Sequence, residues 1–176
     1  MNKKMFLNGL SNGEQDIIQD LLDLLADLDI DYCVIGGLAV NAYVDPVVSL
    51  DVDIVISIGC VEKLIEEAEE IFKIEHFEHS INLSSSRSDI RIQLQLDKRY
   101  QDFIKDASIK EIMGYQMKVA SLEDILQGKV WACSDKKRRA SKRQKDLADI
   151  FRIIEEYTDL KENLPDLIKN KLAENI

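Results

Sequence analysis

Two short segments decide the fold of this chain: Val34-Ile35-Gly36-Gly37-Leu38-Ala39-Val40 and Asp51-Val52-Asp53-Ile54-Val55-Ile56. The first is typical of a buried strand that ends in a glycine pair and leads into a short helix, expected over residues 38–43. The second predicts a strand. Because side chains alternate along a strand, Asp51 and Asp53 share one face, with Cα atoms roughly 6.5 to 7 Å apart, and the apolar residues fill the other.

Paired carboxylates beside a glycine turn are suited to binding a metal ion and a phosphate. Asp51 and Asp53 could share one or two divalent cations, because hard cations prefer carboxylate oxygens. Gly36 and Gly37 lack Cβ atoms and would let backbone N–H groups and a helix start approach a phosphate. Each feature alone has an ordinary interpretation, a tight connection or a solvated strand face. Their order and spacing together favour a site for metal and triphosphate.

The order of these motifs resembles the nucleotidyltransferase superfamily, whose signature is a hydrophobic residue, Gly-Gly or Gly-Ser, a short helix, and Asp-x-Asp or Asp-x-Glu. Later segments resemble AbiEii-type nucleotidyltransferases; they are Val119–Leu126, Gly128–Ala132 and Arg143–Ile150. The resemblance covers residues 30 to 155, approximately. It implies an α/β (α+β) fold, in which a mixed sheet has flanking helices and a helical C-terminal part.

The resemblance also implies an enzyme that transfers a nucleoside monophosphate from a nucleoside triphosphate to a hydroxyl acceptor in RNA, a protein or a small molecule. Asp51 and Asp53 would be its catalytic residues and would hold Mg²⁺ or Mn²⁺, as one or two ions. A cognate toxin or antitoxin is a further implied partner. The residues expected to contact the nucleotide are Gly36, Gly37, Ser49, Lys129, Lys145 and Asp146.

Two positions depart from the family pattern and leave a second interpretation open. A strand predicted over residues 89–97 would carry the third carboxylate of the family, and the aligned position is Gln93. Glutamine can neither take up the proton of an attacking hydroxyl nor bring negative charge to a metal. Val47 stands where the family often has an arginine that would bind phosphate. The alternative is a catalytically impaired module that binds a nucleotide or a partner in a toxin–antitoxin or defence system.

The charge of the chain is unevenly distributed. The 176 residues are 45% hydrophobic and carry a net charge of −10, yet seven of the 23 Lys and Arg residues lie in Lys136–Lys145. This basic run could contact a triphosphate, an RNA backbone or an acidic partner, or it could be a solvated loop and helix start. RNA binding through the run would require an affinity that falls steeply with salt.

Composition also predicts the compartment. No uncharged apolar stretch approaches the roughly 20 residues that a membrane helix requires. The three cysteines are scattered and form no C-x-x-C motif, which favours reduced thiols. We therefore expect a cytoplasmic protein without a membrane partner.

The hydrophobic pattern predicts one compact unit with two subregions. Residues 1–119 should form the α/β core, and residues 120–176 should form a helical subregion packed on that core. Two capping boxes predict helix starts, one at Ser11–Glu14 and one at Ser121–Asp124.

Overall fold

A mixed seven-stranded sheet forms the centre of the protein in a computed structural model, which describes residues 3–174 except the side chains of residues 6–8 and 10. The strands follow the order β3-β4-β5-β2-β1-β7-β6. Their bounds are Tyr32–Ile35 (β1), Asp51–Ile56 (β2), Lys73–His76 (β3), Ser80–Ser85 (β4), Ser88–Gln95 (β5), Ser108–Ile112 (β6) and Tyr115–Val119 (β7). Helices flank this sheet, and the predicted fold class is confirmed.

Helices cover the sheet and make up the C-terminal part of the described chain. They are Lys3–Leu10 (α1), Ile17–Asp27 (α2), Gly36–Val40 (α3), Val61–Ala68 (α4), Leu122–Ser134 (α5), Ala140–Glu156 (α6) and Asp166–Ala173 (α7). Helices α5 and α6 pack on each other, and both contact α3. Within residues 3–174, no helix is both long and apolar enough to cross a membrane. The division of the chain at residues 119 and 120 stays a prediction.

Strand β2 lies in the middle of the sheet and separates a core face from a polar face. Val52, Ile54 and Ile56 are buried, whereas Asp51 and Asp53 are partly exposed, so the predicted alternation is confirmed. Strand β1 pairs with β2 in antiparallel orientation, and β5 pairs with it in parallel. Asp53 therefore lies between Ile35, the last residue of β1, and Gln93 of β5, and Asp51 lies beside Arg91 of β5.

The two predicted helix starts have different outcomes. At the start of α5, the Ser121 hydroxyl accepts a hydrogen bond from the Asp124 N–H at 3.1 Å, as the capping box predicts. The prediction at Ser11 is wrong, because α2 begins after Asp16, whose carboxylate accepts from the Gln19 N–H at 3.2 Å. Ser11 is instead buried, and its carbonyl oxygen accepts from the Asp89 N–H of β5 at 2.7 Å.

Candidate active site

One pocket on the polar face of the sheet collects all the residues that the sequence predicts for a site. It has a volume of about 240 Å³. The predicted residues that line it are Gly36, Gly37, Ser49, Asp51, Asp53, Lys129, Lys145 and Asp146. Other polar residues in its lining are Asn82, Arg91, Gln93, Gln95, Tyr100, Arg138 and Lys142. The structure thus brings all the predicted residues together, and their roles stay predictions.

The glycine pair forms the first turn of α3, two residues earlier than the expected helix over residues 38–43. Gly36 has a φ of 72°, a conformation that side chains rarely adopt. A Cβ atom built on Gly36 would lie 2.2 Å from Oδ2 of Asp53, which is far inside van der Waals contact. On Gly37 the same atom would lie 3.5 Å from Oδ2 of Asp149, an ordinary contact. The close approach of β2 to the turn therefore requires glycine only at Gly36.

Both carboxylate oxygens of Asp51 face a cation. Oδ1 lies 2.9 Å from Nη2 of Arg91, and Oδ2 lies 3.3 Å from Nζ of Lys142. Burial raises the pKa of Asp51, but Lys142 and Arg91 outweigh that effect, and the net pKa lies below its ordinary value. Asp51 is accordingly held as a carboxylate.

The second acid of β2 lies in a different environment. Desolvation raises the pKa of Asp53; Lys129 opposes this shift and the charge of Asp51 adds to it, so the net pKa is raised. Two acids on one strand face therefore have pKa values shifted in opposite directions. A cation bound beside Asp53 would compensate the charge that the protein leaves poorly solvated there.

A buried ion network connects α5 to α6 at the side of the pocket. Nζ of Lys129 lies 3.0 Å from Oδ1 of Asp146 and 2.6 Å from Oδ2 of Asp149. Arg138 donates to the other oxygen of Asp146 at 2.7 Å, and Arg152 donates to the other oxygen of Asp149 at 2.8 Å. Only 6% of Lys129 is exposed. The charge of Lys129 is therefore already balanced by two carboxylates.

Gln93 lies directly beside Asp53, because these two residues are paired in the register of β5 with β2. Asn82 of β4 is the next residue in the same row, and its Oδ1 atom is buried without a hydrogen-bond partner among the described residues. Within residues 3–174 no group of three or more His, Cys, Asp or Glu side chains could hold a metal ion. The two carboxylates of β2 suit a single Mg²⁺ or Mn²⁺, which commonly binds through one or two carboxylates together with phosphate and water.

Three cations in the lining, Arg91, Arg138 and Lys142, were not assigned individually to the site from the sequence. Arg91 is paired with Asp51 in the parallel register of β5, which the sequence does not reveal. Lys142 belongs to the basic run, and it precedes Lys145 by three residues, so both lie on one side of α6. That helical spacing is the signal in the sequence that could have identified Lys142.

The loop before β2 provides no cation to the pocket. Val47 is 56% exposed there. Its N–H donates to Oδ1 of Asn41 at 3.0 Å, and its carbonyl accepts from Nδ2 of Asn41 at 2.7 Å. This double hydrogen bond fixes the loop to the end of α3. Positive charge reaches Asp51 from β5 and α6 instead.

Comparison with protein families gives a match over residues 85–175 to the model described as nucleotidyl transferase AbiEii toxin, type IV toxin–antitoxin system. This span is more than half of the chain. The chain belongs to the AbiEii nucleotidyltransferase family. The match includes Lys129, Lys145 and Asp146, whereas Asp51 and Asp53 precede it. The AbiEii resemblance of the later segments is thereby confirmed.

Solved structures similar to this AbiEii family member include an adenylyltransferase and a nucleotidyltransferase-like protein. ANT(2″)-Ia in complex with adenylyl-2″-tobramycin has 15% identity and a TM-score of 0.61, with coverage of 89% of this chain and 97% of that one. The lincosamide antibiotic adenylyltransferase LnuA, bound to lincomycin, has 17% identity and a TM-score of 0.54, with coverage of 77% and 95%. An antigenic nucleotidyltransferase-like protein from Paracoccidioides brasiliensis has 22% identity and a TM-score of 0.54, with coverage of 78% and 73%.

These likenesses establish the nucleotidyltransferase fold alone. At identities this low, a shared fold does not imply a shared substrate. Comparison of the sequence with curated proteins gave no match.

Gly36→Ala should destabilise the protein by roughly 1 to 3 kcal/mol, because alanine would have to adopt the left-handed backbone of this position and its methyl group would collide with Asp53. Gly37→Ala is the matched control. It adds the same methyl group one residue later, in a helical turn with space for it, and should be neutral or slightly stabilising. Urea unfolding measures both; equal losses in the two variants would contradict the special requirement at Gly36.

Asp51→Asn and Asp53→Asn should change stability in opposite directions at pH 7. The pKa of Asp51 is lowered from 3.8 on folding, so its charge stabilises the fold above that pH, and the contribution is lost as the pH falls through the folded pKa. The pKa of Asp53 is raised from 3.8, so its contribution is present below that pH and is lost as the pH rises through the folded pKa. Asp51→Asn should therefore lower the free energy of unfolding at pH 7, and Asp53→Asn should raise it.

Urea unfolding without added metal, at pH 7 and again at a pH below the folded pKa of Asp51, would measure these changes. Both differences should shrink at the acid pH. Asp89→Asn, at an exposed position of β5, is the control for loss of one negative charge. Changes of the same sign for Asp51 and Asp53 at pH 7 would contradict the opposite pKa shifts.

Proposed function

We propose that this AbiEii family member transfers a nucleoside monophosphate from a nucleoside triphosphate to a hydroxyl acceptor, with Mg²⁺ or Mn²⁺ bound by Asp51 and Asp53. The pocket carries this proposal, because it combines two adjacent carboxylates with an excess of positive charge. Its acids are Asp51, Asp53 and Asp146, and its cations are Arg91, Lys129, Arg138, Lys142 and Lys145. Such a balance favours a polyanion that arrives with a divalent metal ion.

The donor set supports one ion better than two. Asp51 and Asp53 would bind it, and phosphate oxygens and water would complete its coordination. A second ion would need the additional negative charge that Gln93 does not provide. When bound, the ion neutralises charge on the triphosphate and polarises the phosphoryl group that is attacked.

The other predicted nucleotide contacts divide into two kinds. Among the described residues Lys145 has no ion-pair partner, so its charge is available to a phosphate. Asp146 uses both carboxylate oxygens on Lys129 and Arg138 and therefore acts by holding those cations in place. The Ser49 hydroxyl donates to the carbonyl oxygen of Asp51 at 3.2 Å and stabilises the start of β2.

Gln93 limits the chemistry at the acceptor. In the transfer, an acceptor oxygen bonds to the α-phosphorus, the bond to the leaving pyrophosphate breaks, and the acceptor proton must go to a base. The Gln93 amide oxygen can accept a hydrogen bond from the acceptor hydroxyl but cannot keep its proton. The proton would pass to water, and turnover would be slow.

The same residue favours a second function. Without a base, the protein could hold a triphosphate and metal in the pocket without transferring anything. It would then act as a nucleotide- or partner-binding component of a toxin–antitoxin or other defence pair. Nucleotide binding without product under all conditions would support this module and contradict the enzyme.

Pyrophosphate release tests the enzyme directly. With Mg²⁺ or Mn²⁺, each of the four nucleoside triphosphates and pools of RNA and protein as acceptors, the unaltered chain should release pyrophosphate and label an acceptor. Asp51→Ala should abolish release, because it removes a metal ligand. Asp89→Ala removes an exposed acid on the neighbouring strand, outside the pocket, and should leave release unchanged. Equal activity in the unaltered chain and Asp51→Ala would contradict the proposal.

Gln93→Glu should raise the rate of pyrophosphate release by roughly 10²-fold, because it adds a carboxylate that can take the acceptor proton. Gln95→Glu is the matched control. It adds the same charge two residues along the same strand face, opposite Val55 rather than Asp53. An unchanged rate in Gln93→Glu, with triphosphate binding intact, would contradict the missing base as the cause of slow turnover.

A further inference from the structure

The carboxylate of Asp51 is bound on both sides by side chains that also line the pocket. Arg91 reaches it from β5 at 2.9 Å, and Lys142 reaches it from α6 at 3.3 Å. The Arg91 side chain is 67% exposed and that of Lys142 is 44% exposed, so both can move into the pocket. Arginine and lysine therefore occupy the oxygens that a metal ion would need.

A metal ion at Asp51 would come close to both cations. Mg²⁺ binds a carboxylate oxygen at roughly 2.0 to 2.1 Å, so the ion would be repelled by the guanidinium of Arg91 and the ammonium of Lys142. A triphosphate removes this conflict, because its oxygens accept hydrogen bonds from both groups. The planar fork of arginine suits phosphate especially well.

Lys145 has no ion-pair partner to exchange among the described residues, and the other two cations of the pocket are held in the buried network. Lys129 is buried between Asp146 and Asp149, and Arg138 is bound to the second oxygen of Asp146. Withdrawing either cation would leave a buried carboxylate oxygen without its partner, which is costly. Arg91 and Lys142 share Asp51, a partner that a metal ion can take over.

We infer that Arg91 and Lys142 are phosphate-binding residues that leave Asp51 for the triphosphate when it enters, which makes nucleotide and metal binding mutually cooperative. The inference rests on the proposed function and deepens it. In the exchange every charge keeps a partner, since Asp51 binds the metal ion and the two cations bind phosphate oxygens. Each ligand then raises the affinity of the other by the same factor.

Lys142→Gln distinguishes this exchange from a structural role. Removing the cation frees an oxygen of Asp51, so Mn²⁺ alone should bind about tenfold more tightly than to the unaltered chain. Inorganic triphosphate in the presence of a chelator should bind about tenfold more weakly, because a phosphate contact is lost. Isothermal calorimetry measures both affinities, and inorganic triphosphate makes the result independent of the base. Arg91→Gln should change both affinities in the same directions.

Lys136→Gln is the matched control, since Lys136 belongs to the same basic run but is exposed outside the pocket and has no ion-pair partner among the described residues. It should change neither affinity, and circular dichroism would verify that all variants fold. If Lys142→Gln weakens both ligands or changes neither, the exchange is overturned and the proposed function stands. If the unaltered chain binds no triphosphate, with or without metal, the proposed function itself is overturned.

Discussion

The parallel pairing of β5 with β2 is the constraint on which the candidate site depends. It sets Arg91 beside Asp51 and Gln93 beside Asp53, on the polar face of the sheet. A slip of one residue would turn every side chain of β5 to the other face and would bury charge in the core. The apolar residues of both strands prevent that slip, so hydrophobic packing on one face determines the electrostatics of the other.

Local sequence patterns were sufficient to predict those parts of the site that depend on strand alternation or on a helix cap. Alternation in β2 predicts which face carries Asp51 and Asp53, and the cap at Ser121 predicts where α5 begins. Pairing between distant strands has no comparable signal, so the contact of Arg91 with Asp51 could not be predicted. The Ser11 prediction failed because a local capping pattern competes with tertiary contacts, and here the backbone of Ser11 bonds to β5 instead.

The pocket is formed by two parts of the chain, and only the later part lies within the family match. The carboxylates and Gly36 come from β2 and α3, whereas the family match begins later and contains the residues of α5 and α6. Contacts of α5 and α6 with α3 bring the basic run to the acids of β2. Three cations of the basic run, Arg138, Lys142 and Lys145, thus share one pocket with the two carboxylates of β2.

The ion network around Lys129 also constrains how this sequence can diverge. Losing one member of a buried ion pair leaves an uncompensated charge and costs on the order of 3 to 5 kcal/mol, whereas replacing the whole set by apolar residues can be neutral. Lys129, Asp146 and Asp149 should therefore change together with Arg138 and Arg152 rather than one at a time. Among descendants of a common ancestor, these five positions should be inherited or lost as a group.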